Sequence, residues 1–115
     1  MLFSINLNRK TENMGLTKPN DYTTEQIVFS QIGKALGHPA RQRILMILKE
    51  ESMIRATDLS NALNLNVATI HKHLLFLEHA RLITADYRIH ESLLKIDPRG
   101  LRKLEEMTSF LTENF

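Results

Sequence analysis

Within the run "NVATIHKHL", Asn66 to Leu74, two histidines flank a lysine. Such a trio could hold a metal ion, move protons in catalysis, or present hydrogen-bond donors to nucleic acid. A chelating pair on one helix has to share a face, at spacings of three or four. His71 and His73 are two apart, about 200° around a helix, and His79 lies six and eight positions from them. No two of these can grip one ion within a single helix. The chain has no cysteine, which removes thiolate metal sites, disulfides and thiol switches. Ser60, Ser92 and Ser109 have no matching His and Asp arrangement, and there is no Gly-rich phosphate loop. The pairs Glu50-Glu51 and Glu105-Glu106 read as solvated helix faces. The expectation is a protein that is not an enzyme, with no catalytic residues, no metal and no cofactor.

What remains is a helix face for nucleic acid. With Ile70, Leu74 and Leu77 turned inward, the helix presents Asn66, Val67, Thr69, His71, Lys72 and His73 outward. Thr69 and the three basic side chains can donate to phosphate or base acceptors. From Asn66 to Leu77 there is no Asp or Glu. A merely solvated surface does not account for that.

The elements that must position this face follow from periodicity. Residues 1–21 carry no helical period and read as an arm of low order. Met14-Gly15 is an alternative start, which N-terminal mass spectrometry would identify. In "TTEQ", Thr23 and Gln26 have capping-box spacing ahead of Ile27, Val28, Ile32, Ala35 and Leu36, a first helix that ends at Gly37. "HPARQRILMILKEE" gives a second, buried helix with Pro39 in its first turn. "ATDLSNALNLN" gives a short third, capped by Thr57 or Asp58, with Leu59, Ala62 and Leu63 inward. Asn64 and Asn66 break it, and Asn66 caps a fourth helix running to about His79. "LITADY" and "ESLLKID" suggest a hairpin with strands near 82–87 and 92–97, its tip carrying Arg88 and His90. Asp97-Pro98 opens a last helix with Leu101, Leu104, Met107, Phe110 and Leu111 on one side.

Two short helices joined by a tight turn, followed by a hairpin, make a winged helix-turn-helix. The fold class is mainly α (α+β), with about five helices and a two-stranded wing, in one domain spanning 22–115. In such a unit the second helix enters the major groove. The 115 residues, 43% hydrophobic and 24% charged, suit one globular domain. The longest apolar-leaning run, "RILMILK", is far short of a membrane span, and no secretory signal pattern begins the chain. A cytoplasmic location is expected.

"KALGHPARQRILMILKEE", "ATDLSNALNLNVATIHKHLLFLEHARLI" and "LLKIDPRGLRKLEEM" resemble the arsenic-repressor (ArsR/SmtB) family of bacterial winged-helix regulators. The likeness spans roughly residues 31 to 110 and rests on the order and spacing of these pieces. It implies a homodimer built on the first and last helices, Thr24–Leu36 and Pro98–Leu111, that represses transcription at imperfect palindromes in double-stranded DNA. The Cys-Val-Cys motif of the family's metal sensors falls on Arg55, Ala56 and Thr57, and the last helix offers no histidine for the family's other metal site. Metal sensing by either route is not expected.

Three positions depart from the family pattern. Val67 stands where glutamine is common, and Lys72 where arginine is, losing the fork suited to guanine. Arg81 occupies the usual glycine after the recognition helix, where a positive φ is expected. Over residues 66–97, Lys72, Arg81, Arg88 and Lys95 are balanced by Glu78, Asp86, Glu91 and Asp97, so binding leans on local geometry and histidine protonation, and moderate DNA affinity that falls steeply with salt is expected. The rival reading is a winged helix whose recognition face binds protein. The inducer, the operator and the regulated genes are not legible in the sequence.

Overall fold

The structure is a computed structural model that describes residues 21–87 and 92–115. The expected arm over 1–21 therefore lies, but for its last residue, outside the described residues, as do Arg88 and His90 at the wing tip.

Among the described residues, five helices and three strands follow in the order α1 (Thr24–Leu36), α2 (Pro39–Glu51), β1 (Ile54–Arg55), α3 (Ala56–Leu63), α4 (Val67–His79), β2 (Ile83–Asp86), β3 (Leu93–Ile96) and α5 (Pro98–Asn114). The capping box opens α1 as its spacing predicts. Thr23 Oγ1 accepts from the Gln26 amide at 3.1 Å, and Gln26 Oε1 accepts from the Thr23 amide at 3.0 Å. Pro39 fills the first turn of α2, and His38 caps it, its Nδ1 accepting from the Ala40 amide at 3.0 Å. Asn66 caps α4 through Oδ1, which accepts from the Thr69 amide at 2.8 Å.

The start of α3 differs from expectation. Its cap is Arg55, not Thr57 or Asp58, because the chain enters the helix directly from β1. Asp58, in the first turn, reaches back to accept from the Arg55 amide at 3.2 Å. Ala56 and Leu59 are buried and Leu63 half-buried, a line at spacings of three and four. Ala62 falls off that line and is exposed, against expectation.

Both turns around α4 use left-handed residues. After α3, Asn64 sits at φ 55°, with the Leu65 amide donating to Ser60 O and the Asn64 amide to Asn61 O. After α4, Arg81 sits at φ 57°, with the Leu82 amide donating to Leu77 O and the Arg81 amide to Glu78 O. Each is a Schellman motif, in which glycine or asparagine is the usual left-handed residue. Arginine there is strained by its Cβ. Arg81→Gly should raise stability in urea by up to about 1 kcal/mol, since relief of that strain is partly offset by glycine's larger unfolded-state entropy.

β2 and β3 form the expected two-stranded hairpin, and β1 adds a third strand beside β3, giving the order β1-β3-β2, antiparallel throughout. Ile54 pairs with Leu94 and Arg55 with Leu93, while Ile83 pairs with Ile96 and Asp86 with Leu93. The wing is thereby tied to the residues just before α3. Ile32, Ile44, Leu48, Leu59, Ile70, Leu74, Leu77, Leu82 and Leu94 are fully buried and make one core across α1 to α4 and the sheet. By contrast, α5 buries only Gly100; Leu101, Leu104, Met107, Phe110 and Leu111 are half-covered. Phe110 meets Phe29 of α1 with ring centroids 5.2 Å apart.

Candidate nucleic-acid interface

Ile70, Leu74 and Leu77 are buried, so α4 lies against the core by the face its periodicity predicts. His71 and Lys72 are exposed on the opposite face, and Val67 is 37% exposed at the first turn. Asn66 is exposed too, but its side-chain oxygen is occupied as the helix cap. Among the described residues of α4 the first acid is Glu78, whose Oε1 accepts from the Tyr87 hydroxyl. Burial, then the Glu78 hydrogen bond and charge, push the Tyr87 hydroxyl up to about 12. That bond ties the end of α4 to the root of the wing.

Thr69 and His73 are only half-exposed and turn toward α2. Together with His38, Pro39, Ala40, Arg43, Ala62, Leu63 and Leu65 they line a groove between α2 and the α3–α4 turn. His73 Nδ1 lies 3.4 Å from Arg41 Nη1, and its ring centroid is 4.6 Å from that of His38. The structure thus brings Asn66, Val67, His71 and Lys72 onto an open face and draws Thr69 and His73 aside.

Arg41 is the residue sequence reasoning missed. It is 9% exposed. Its Nε donates to Ala35 O at 2.9 Å and its Nη2 to Lys34 O at 3.2 Å, while the guanidinium carbon stands 4.1 Å from the Phe76 ring centre. Gln42 adds a bond to Leu36 O at 2.8 Å. The start of α2 therefore satisfies the last carbonyls of α1, where a cation is also favoured by the helix dipole. Arg41 thus joins α1, α2 and α4. The sequence signal was thin, an arginine two residues after a proline.

Burial, and then the neighbouring His38 and Arg41, hold His73 below the ordinary histidine value. The unfolded chain consequently takes up a proton first as pH falls, and stability rises with pH across that interval. Stability should be full above about pH 6.5 and decline as pH falls through the lowered value of His73. Urea unfolding at pH 7.5 and 5.5 measures this, and His73→Gln should flatten the difference.

Among the described residues, no group of three or more His, Asp or Glu side chains could hold a metal ion, and no helix is long and apolar enough to cross a membrane.

The family model of bacterial regulatory proteins of the arsR family matches residues 38–85, from the cap of α2 through α3 and α4 into β2. The chain is thus similar to the arsR family over its helix-turn-helix segment, 48 of the 115 residues. Solved structures agree in fold. An ArsR family transcriptional regulator superposes with a TM-score of 0.68 at 19% identity, covering 76% of this chain and 90% of that one. A homodimeric winged helix-turn-helix DNA-binding domain from Mycobacterium bovis, described as a possible ArsR-family regulator, gives 0.61 at 20% identity over 76% and 81%. The AntR antimony-specific transcriptional repressor gives 0.56 at 25% identity over 84% and 94%. No curated protein matches the sequence significantly. The shared fold is a winged helix-turn-helix, in which α4 takes the place of the second helix of the helix-turn-helix.

Proposed function

We propose that this chain is a homodimeric, sequence-specific repressor that reads an imperfect palindromic operator with α4 and does not sense metal through the family's known sites. The observation that carries the reading is the open face of α4, where Val67, His71 and Lys72 stand exposed with no acid before Glu78. Val67 can touch a thymine methyl, His71 can donate to a base or phosphate, and Lys72 supplies full charge. Arg88 and His90 at the wing tip would add phosphate or minor-groove contacts. Thr69 and His73 act beside this face and not on it.

Dimerisation is supported by the half-covered apolar stripe of α5 beside α1, which a second copy could bury. A dimer would present two copies of α4 to successive major grooves. Sedimentation of the purified chain should give twice the monomer mass.

Gel shift against the DNA upstream of the protein's own gene, at two salt concentrations, tests DNA reading. A specific shift that weakens strongly at the higher salt is expected. Lys72→Ala should weaken operator binding and reduce its salt slope by about 1 while leaving the dimer intact by gel filtration. Absence of a specific shift over random DNA would favour the rival, a protein-binding recognition face, for which Val67 at 37% and Leu75 at 53% exposure provide apolar contact. Zinc or cadmium should leave operator affinity unchanged.

A further inference from the structure

His38 and His73 stand side by side in the groove between α2 and the α3–α4 turn, with ring centroids 4.6 Å apart. In each ring Nδ1 faces a donor belonging to the protein. His38 Nδ1 accepts from the Ala40 amide at 3.0 Å. His73 Nδ1 faces Arg41 Nη1 at 3.4 Å, and a guanidinium has no lone pair to offer in return. An imidazole that accepts at Nδ1 carries its proton on Nε2. Both Nε2 atoms are therefore N–H donors, and neither has an acceptor among the described residues.

That tautomer decides what the groove can hold. With Nδ1 of each ring taken up by a protein donor, what the pair turns to the groove is N–H. The same wall carries Arg43 and Thr69, and no carboxylate among the described residues lines it. Pro39, Ala40, Ala62, Leu63 and Leu65 make up the rest. Donors converge from α2 and α4 with nothing to balance them, and the complementary group is an oxyanion. The groove adjoins the first turn of α4 at Thr69, next to Asn66 and Val67 of the reading face.

We propose that this groove seats a phosphodiester of the DNA backbone, with Arg43 supplying charge and His38, His73 and Thr69 supplying neutral donors that fix its position. The proposal rests on DNA reading by α4 and adds to it two residues of α2, His38 and Arg43. Such a contact would set the register of α4 in the groove without reading sequence.

Fluorescence anisotropy of the full chain on its operator and on random duplex tests it. Arg43→Gln removes the charge from an exposed position. It should lower affinity several-fold on both duplexes and reduce the slope of log K against log salt by about 1. His38→Asn keeps a capping oxygen for Ala40 and removes the Nε2 donor, so it should weaken both duplexes with the slope unchanged. A scan of the operator with single methylphosphonates should find one position whose neutralisation weakens the wild type but not Arg43→Gln. Wild-type affinity and slope in both variants, with Lys72→Ala still impaired, would overturn the groove while leaving the reading face standing. No specific binding by the wild type would instead sink the reading on which it rests. The other source of the same chemistry is free phosphate. If millimolar inorganic phosphate shifts the His38 and His73 ring resonances of the DNA-free protein and Arg43→Gln abolishes that shift without changing DNA affinity, the backbone assignment is wrong.

Discussion

Gly100→Ala is expected to be the most damaging glycine-to-alanine change among the described residues. A Cβ at this position would lie 2.0 Å from Arg81 O, 2.7 Å from the Arg81 carbonyl carbon and 2.8 Å from Leu82 Cα. All three are backbone atoms, held by the Schellman turn that ends α4 and by the Asp97 amide, which donates to Leu82 O at 2.9 Å. No side chain can rotate away, so the first turn of α5 has to lift off the turn beneath it. Overpacking of this kind costs about 3 kcal/mol or more. Asp97 would feel the shift. It is 5% exposed and caps α5 by accepting from the Arg99 amide at 2.9 Å, and the Arg99 side chain holds its carboxyl below the usual aspartate range. Urea unfolding should show the loss, and gel filtration of the surviving folded fraction should show weakened self-association, since α5 carries half of the proposed dimer contact. Unchanged stability would mean that α5 does not sit so close to the Arg81 turn.

Arg41→Ala should cost a comparable amount, about 3 kcal/mol, by a different route. The carbonyls of Lys34 and Ala35 lose donors, Phe76 loses the cation above its ring, and His73 loses its neighbour at Nδ1. Bonds from a charged donor are worth about 1.5–3 kcal/mol each, with acceptors left buried and unsatisfied adding to the loss. Arg41→Lys should recover only part, because one ammonium cannot reach two carbonyls and a ring with a planar fork. Hydrogen exchange should quicken in the last turn of α1 as well as in α4. An effect confined to α2 would show that Arg41 does not join these helices.

What was legible in the sequence was local. Thr23 with Gln26, and Asn66, act on amides within three residues of themselves, and Pro39 fixes its own φ for a first turn, so local sequence announces α1, α2 and α4. The period of Ile70, Leu74 and Leu77 likewise orients α4. β1 was not legible, because two residues have no period and exist as a strand only through pairing with Leu93 and Leu94. The cap of α3 was misplaced for the same reason, Arg55 being held by the sheet and not by its own side-chain type. Arg41 reads as a surface cation until α1 is laid across it. His73 reads as outward by helical angle, yet the rim it occupies is filled by the start of α2. The positive φ of Arg81 came from the family resemblance, since nothing in an arginine signals it.

The pairing of Ile54 with Leu94 has a kinetic meaning as well as an architectural one. It closes a loop of about forty residues that contains all of α3 and α4, and closing such a loop costs about 3 kcal/mol of chain entropy. During synthesis at roughly 5–20 residues per second, α4 leaves the ribosome seconds before its closing strand does. The helices against which α4 packs, α1 and α3, precede it in the chain, so what β3 brings on arrival is the sheet and not the helical frame. Because β3 pairs with both β1 and β2, the sheet and the wing hairpin are completed in the same event.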